Sequence, residues 1–392
     1  MADIIDQIVK ISIQDAISSV TTVDVNTVAL VGLATAQNPV AGEFSSVAGA
    51  ETAYGADSEL AAMVRSFFAQ DSQPSKVVCI PAESSASDTL DAVKTAAQSF
   101  DFYHIVLATW DGSVTKTSLT GSNGWQEWLA DVKKVLHVQV KDPTALKNHG
   151  GKRIAVYKHG EVQTITQTVV TATSTTVTTL DSLPGGWTAG QTTKTTEGTG
   201  TTTTVDVSVE ILPVAIVALR CAADSARGTF AHKKCGGITP DSYTVEDYNG
   251  WIDGGINIYT KVSGESRLFM GSTADKESFI DQIVKDDWIR FNVQSRIYQL
   301  LGEANDGHGV NYDDAGISSV AASVMNVLTL AQDTDHQYVM ADSASVDYKP
   351  YSYLKANYAE DVRNRNLPLI TGRYARMNSI HTVQQVSLYV TL

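Results

Sequence analysis

From residue 28 to residue 158, short apolar runs alternate with amphipathic stretches, and this alternation limits the fold more than any other feature. "VALVGL", "KVVCIPA", "YHIVLAT" and "KRIAVYK" are short, apolar and rich in β-branched residues, so they read as buried strands. Between them, "SELAAMVRSFFAQ" puts Leu60, Met63, Val64 and Phe67 on one stripe behind the N-cap candidate Ser58. "ASDTLDAVKTAAQSF" and "GWQEWLADVKKVL" read as helices too. Strands and helices alternating at this spacing predict βαβ units around a largely parallel sheet covered by helices.

The pattern then breaks. Residues 161–210 are dominated by threonine, almost lack helix formers, and are interrupted by "LPGG" and "EGTG". β-branched residues favour strands and the Gly/Pro clusters mark turns. This predicts a small all-β insertion of exposed hairpins; a flexible linker is the alternative, against which the interspersed valines weigh. Beyond it, "AIVALRCAADSARG" predicts a helix ending at Gly228. "GINIYTKVSGESRLFMG" predicts two strands joined through Ser263 and Gly264. A long amphipathic helix follows, with Ile280, Val284, Trp288, Phe291, Ile297 and Leu301 at helical steps, then a second helix capped by Asp313 or Asp314.

Both ends of the sequence alternate with a period of two. Val9, Ile11 and Ile13 do so near the start, and Val386, Leu388 and Val390 near the end. Terminal residues are normally polar and frayed unless something ties them down. Each end either pairs within its own domain or adds a strand to a neighbouring subunit.

A formal charge of −14 argues against general nucleic-acid binding, which calls for a basic face. It also makes like subunits repel, so any assembly requires specific contacts. "MADIIDQ" lacks the basic and apolar regions of a secretion signal, and "ILPVAIVAL" is too short to span a bilayer. Three scattered cysteines, Cys79, Cys221 and Cys235, do not make a disulfide scaffold. The expectation is a cytoplasmically made protein with reduced thiols and no membrane contact.

A search for chemistry finds no site. "NHGGKR" has the glycines and lysine of a phosphate loop, but it lacks the first glycine and has Arg153 where Ser or Thr belongs. A tight turn explains it. "NDGHGVNYDD" lacks the alternating oxygen ligands of a calcium loop. His232 and Cys235 have no second pair to complete a zinc site, and the first βα junction has no dinucleotide fingerprint. No catalytic residue, cofactor or metal is expected. Arg363, Arg365, Arg373 and Arg376 gather near the C-terminus, either as a solvated loop set or as a docking patch for an acidic partner.

Several segments carry a resemblance. "DDWIRFNVQSRIYQLL" followed by "VNYDDAGISSV" is similar to the contractile tail sheath family of bacteriophages and related contractile injection particles. "GGITPD", "NIYTKVSG" and the closing "SIHTVQQV" resemble further family segments in the same order, and "YGADSELAAMVRSFFAQ" resembles its early helix. Asn311 stands where many sheaths have Pro, and Asp313 where Thr is usual. The resemblance implies an α/β (α+β overall) chain with a composite core of mixed sheet and flanking helices. It divides the chain into an N-terminal arm (1–25), an α/β domain (26–160), the Thr-rich surface insertion (161–210), the C-terminal part of the core (211–378) and a C-terminal arm strand (379–392).

The implied function is structural: a virion tail subunit, assembled in the host cytoplasm, that polymerises helically around an inner tube and contracts without nucleotide. Neighbouring sheath subunits, the inner tail tube protein, and the baseplate and tail terminator proteins are the implied partners, without direct nucleic-acid contact. The arms would add strands to neighbours. Lys285, Arg290 and Arg296 of the long helix, or the Arg363–Arg376 group, would face the tube. The competing classes are a surface adhesin built around the Thr-rich module and an α/β enzyme with an unrecognised site.

Overall fold

A mixed sheet with a parallel centre, whose two faces both need cover, dominates the computed structural model. The model describes residues 24–82, 86–108, 115–159, 164–180, 184–185, 192–208, 210–303 and 309–382. The arm residues Val9, Ile11, Ile13, Val386, Leu388 and Val390 lie outside the described residues.

In chain order, β1 (Val28–Gly32), β2 (Gly42–Phe44), α1 (Val47–Tyr54) and α2 (Glu59–Phe68) lead to β3 (Val77–Pro81), α3 (Ala86–Ala96) and β4 (His104–Ala108). Then come α4 (Lys116–Thr120), α5 (Trp125–Val132), β5 (Val135–Val140) and β6 (Ile154–Lys158). The Thr-rich segment forms β7 (Thr164–Thr171), β8 (Thr175–Leu180), β9 (Thr193–Gly198) and β10 (Thr201–Ser208). After it run α6 (Leu212–Ala222), α7 (Val245–Ile252), β11 (Ile256–Val262), β12 (Glu265–Phe269), α8 (Ile280–Glu303) and α9 (Asp314–Gln332). The described chain closes with β13 (Ser345–Asp347), α10 (Tyr351–Asn357), α11 (Ala359–Arg363) and β14 (Thr371–Arg373).

The main sheet has the order β12-β11-β6-β5-β4-β1-β3-β2. Its six inner strands pair parallel, and the outer β12 and β2 pair antiparallel. Every residue of β1 is buried, as expected of a strand covered on both sides. Alternate residues sort to opposite faces. Val28 and Leu30 join a core with α2, α6, α8 and α9, whereas Ala29 and Val31 pack with Val93, Trp125 and Leu129 on the other side. The mixed α/β architecture predicted from the sequence is present, and β11–β12 from beyond residue 255 share one sheet with β1–β6.

Local signals explain many boundaries. The hydroxyl of Ser58 accepts from the Ala61 amide to start α2, and the carboxylate of Asp313 accepts from the Gly316 amide to start α9. Ser263 and Gly264 both have positive φ at the β11–β12 turn, as a tight hairpin requires. Three boundaries differ from expectation. The helix predicted over "GWQEWLADVKKVL" stops at Val132, because Lys133 adopts a left-handed conformation, and "VLHVQV" continues as β5. The helix predicted to end at Gly228 spans Leu212–Ala222 and opens with Pro213 in its first turn, where no amide is needed. The short strands β2, β13 and β14 were not foreseen.

The Thr-rich segment is a four-stranded antiparallel sheet in the order β8-β7-β10-β9. The hairpin reading holds. At its neck, buried His159 lies 3.2 Å from Glu210 through Nε2 and 3.2 Å from Asp241 through Nδ1. The residues flanking the insertion on either side are therefore held together.

Helix α8 is fixed to the sheet by an ion pair. Arg153 grips Asp287 with two hydrogen bonds, at 2.6 and 2.8 Å, and Tyr103 donates to the same carboxylate at 2.6 Å. Burial works against the Arg153 charge, yet Asp287 holds its pKa above the ordinary value; burial and then Asp287 raise that of Tyr103. Helix α9 is long and apolar enough to cross a membrane, but half of its apolar window is buried inside the fold, where it packs against α8 and β13.

Candidate functional site

The two ends of the described chain meet one loop, residues 224–232, between α6 and β11. At the N-terminal end, the Ser225 hydroxyl reaches the Val25 carbonyl at 3.0 Å and the Asn26 side-chain oxygen at 2.9 Å, and the Ser225 amide donates to the same oxygen at 2.7 Å. Val25 and Ser225 are buried, so this end of the described chain is seated in the fold.

At the C-terminal end, Thr229 Oγ1 and His381 Nε2 are 2.8 Å apart, and His232 Nε2 lies 3.0 Å from the His381 carbonyl oxygen. The His381 ring stands edge-on to Phe279 at 4.5 Å. Burial lowers the His381 pKa, so the neutral ring is favoured in this seat. Upstream, Arg376 and Tyr374 both bond Asp286 of α8, Tyr374 at 2.9 Å. The loop has further ties, Tyr338 to Asp224 and Arg227 to Gln337.

Lys285 belongs to this junction. It was expected to face a partner, but its side chain is fully buried, bonded to Asp281 at 2.7 Å, the Met377 carbonyl at 2.8 Å and the Gly228 carbonyl at 3.4 Å. Arg290 is buried too. The Lys285 charge is satisfied within the fold, as a buried charge has to be, and Arg290 lines the cleft between α8 and α9. Arg296, Arg363, Arg365, Arg373 and Arg376 are exposed. Of these, Arg376 is committed to Asp286 and Arg373 pairs with Asp347 at the surface. His232, considered as half of a zinc pair with Cys235, instead holds the C-terminal segment. Among the described residues, no group of three or more metal-ligating side chains occurs.

Beside the junction lies a small sheet. β13 and β14 pair antiparallel over three residues, and all of their residues except Val346 are exposed. Backbone bonds from Met340 to Ala375 and from Met377 to Tyr338 extend the pairing toward the junction. Gly372 sits over Val324 and Leu328 of α9, where a Cβ would make ordinary van der Waals contact at 3.5 and 3.6 Å. A two-stranded sheet is marginal alone, and among the described residues no third strand pairs with either edge. Next to it, Ile289, Val293, Ile297, Val320, Leu367 and Ile370 line a cleft of about 820 Å³. By contrast, the main sheet ends in a three-residue strand on one side and the charged β12, with Glu265 and Arg267, on the other. Those edges discourage strand addition.

No family model matches the sequence, and no curated protein matches it. Among solved structures, the chain is similar to one in the cryo-EM structure of the anti-feeding prophage (AFP) baseplate in contracted state, with a TM-score of 0.55 and 13% identity. The match covers 98% of this chain and 97% of that one. At that identity, the likeness is one of fold.

Proposed function

We propose that this chain is a structural subunit of a contractile tail sheath, which polymerises helically around an inner tube and shortens to drive the tube through a target envelope. The observation that carries the reading is the likeness in fold, over 98% of this chain, to a chain of the anti-feeding prophage baseplate in its contracted state. The edges of β13–β14, unpaired among the described residues and placed beside the junction where both ends of the described chain are held, agree with it. In this reading the arms around Val9, Ile11 and Ile13 and around Val386, Leu388 and Val390 add strands to β13–β14 of neighbouring copies. Each added strand contributes several hydrogen bonds worth about 0.5–1.5 kcal/mol apiece. Exposed Arg296, Arg363, Arg365 and Arg373 face the inner tube protein. Baseplate and terminator proteins close the two ends of the polymer.

A role confined to the baseplate end is a second reading, favoured by the name of the structure with the similar chain. Electron microscopy of the purified full-length protein separates the two. Long hollow tubes support the sheath, whereas short rings support the baseplate role and discrete monomers reject both. Removing residues 1–15 or 386–392 is expected to leave a folded monomer; normal tubes from either truncation would dismiss strand exchange.

A further inference from the structure

We infer that His381 is a proton-sensitive latch, which holds residues 379–382 on the fold at neutral pH and frees them on acidification. Up to Asn378 the segment has ties of its own. The Met377 carbonyl accepts from Lys285, the Met377 amide donates to the Tyr338 carbonyl, and the Asn378 side chain meets Gln282 at 3.1 Å. Beyond Asn378, among the described residues, the hydrogen bonds to the body run through His381. Its ring faces Thr229 and Phe279, and its carbonyl meets the ring of His232. Ile380 next to it is 81% exposed and adds little burial.

A proton on the ring works against this seat. The charged and titratable groups facing it are Asp281 and Lys285 of α8 and His232 of the loop, with Arg267 of β12 bonded to the His232 carbonyl behind. Asp281 is already paired with Lys285 at 2.7 Å, and the same ammonium serves the carbonyls of Met377 and Gly228. An imidazolium at His381 therefore meets a cation in place and a carboxylate already engaged. Burial is the largest cause of the lowered pKa; Asp281 opposes it, and His232 and Lys285 add to it. Once released, the ring takes up a proton at the ordinary value of 6.5. The seat is complete above pH 6.5 and loosens as pH falls below it, by at most about tenfold per pH unit in the ratio of released to seated forms. None of this depends on the sheath reading.

The test is limited proteolysis of the full-length protein with thermolysin at pH 7.5 and pH 5.5, with cleavage of the Ser379–Ile380 bond read by mass spectrometry. Wild type is compared with His381→Gln, which keeps a polar side chain that does not titrate, and with Thr229→Val, which removes the partner of the ring nitrogen. Acidification is expected to speed cleavage of wild type about three- to tenfold more than that of His381→Gln. His104 and His137 are present in all three proteins, so a general loss of stability at low pH cancels in this comparison. Thr229→Val is expected to be cleaved faster than wild type already at pH 7.5. If His381→Gln does not fold, Thr229→Val, with the latch open at both pH values, supplies the reference. Equal responses to pH in wild type and variant would overturn the latch, and so would cleavage of Thr229→Val at the wild-type rate at pH 7.5.

Discussion

The ammonium of Lys285 donates to the main-chain oxygen of Met377 at 2.8 Å, joining the first third of α8 to a segment 92 residues further along the chain. Its i−4 neighbour Asp281 balances the charge, and the pair is shielded from solvent. Lys285→Met leaves Asp281 buried without its counter-ion, a change that costs about 3–5 kcal/mol. Arg363→Ala removes an exposed charge and should change stability by less than about 0.5 kcal/mol. Urea unfolding of the unassembled protein measures both; similar midpoints for the two variants would contradict the buried role of Lys285.

His104, His137 and Tyr157 line up across β4, β5 and β6, with 3.0 Å between His104 Nδ1 and His137 Nε2 and between His137 Nδ1 and the tyrosine oxygen. Burial lowers the pKa of His104 to about 3, and burial together with His104 lowers that of His137 well below its ordinary value. Both groups are therefore neutral in the fold and protonate more readily when unfolded. Their contribution is complete above pH 6.5 and declines as pH falls toward 3, by about 1.4 kcal/mol per pH unit for each histidine. Urea midpoints should drop between pH 7 and pH 5, with a shallower drop for His104→Gln; identical slopes would refute the assignment.

All three cysteines are buried, and burial pushes each thiol pKa up. Thiolate is the reactive form, so labelling with a thiol reagent should be negligible in native protein and reach three groups per chain in denaturant. Fast native labelling of even one site would contradict the packing around it.

The β7–β10 sheet makes its backbone pairs internally, and β8 is exposed along nearly its whole length. Replacing residues 161–209 with a short Gly-Ser linker keeps His159 and Glu210 in place. If the chain is a sheath subunit, as proposed, the expected result is a folded protein that still forms tubes, narrower in electron micrographs; a deletion variant that folds but cannot assemble would show that the insertion takes part in the lattice.

Much of the sheet was legible because β1, β3, β4 and β6 are buried on both faces and so read as unbroken apolar runs. β5 was not, since His137 and Gln139 interrupt "VLHVQV" with polar groups. Their partners come from other elements: His104 and Tyr157 for His137, and the Glu210 carbonyl and Leu212 amide for Gln139. Sequence periodicity carries no trace of such pairings. The same limit applies to Lys285, since a lysine in an amphipathic helix is ordinarily at the surface and its partner lies far along the chain. β13 and β14 are too short to show a period, so their sheet became visible only in three dimensions.

The imidazole of His159 also has a practical consequence. Because it pins the two sides of the insertion neck against each other, the position behaves as a socket. An unrelated domain whose own termini lie close together could be spliced between residues 160 and 209, with the main sheet beneath it left as it is.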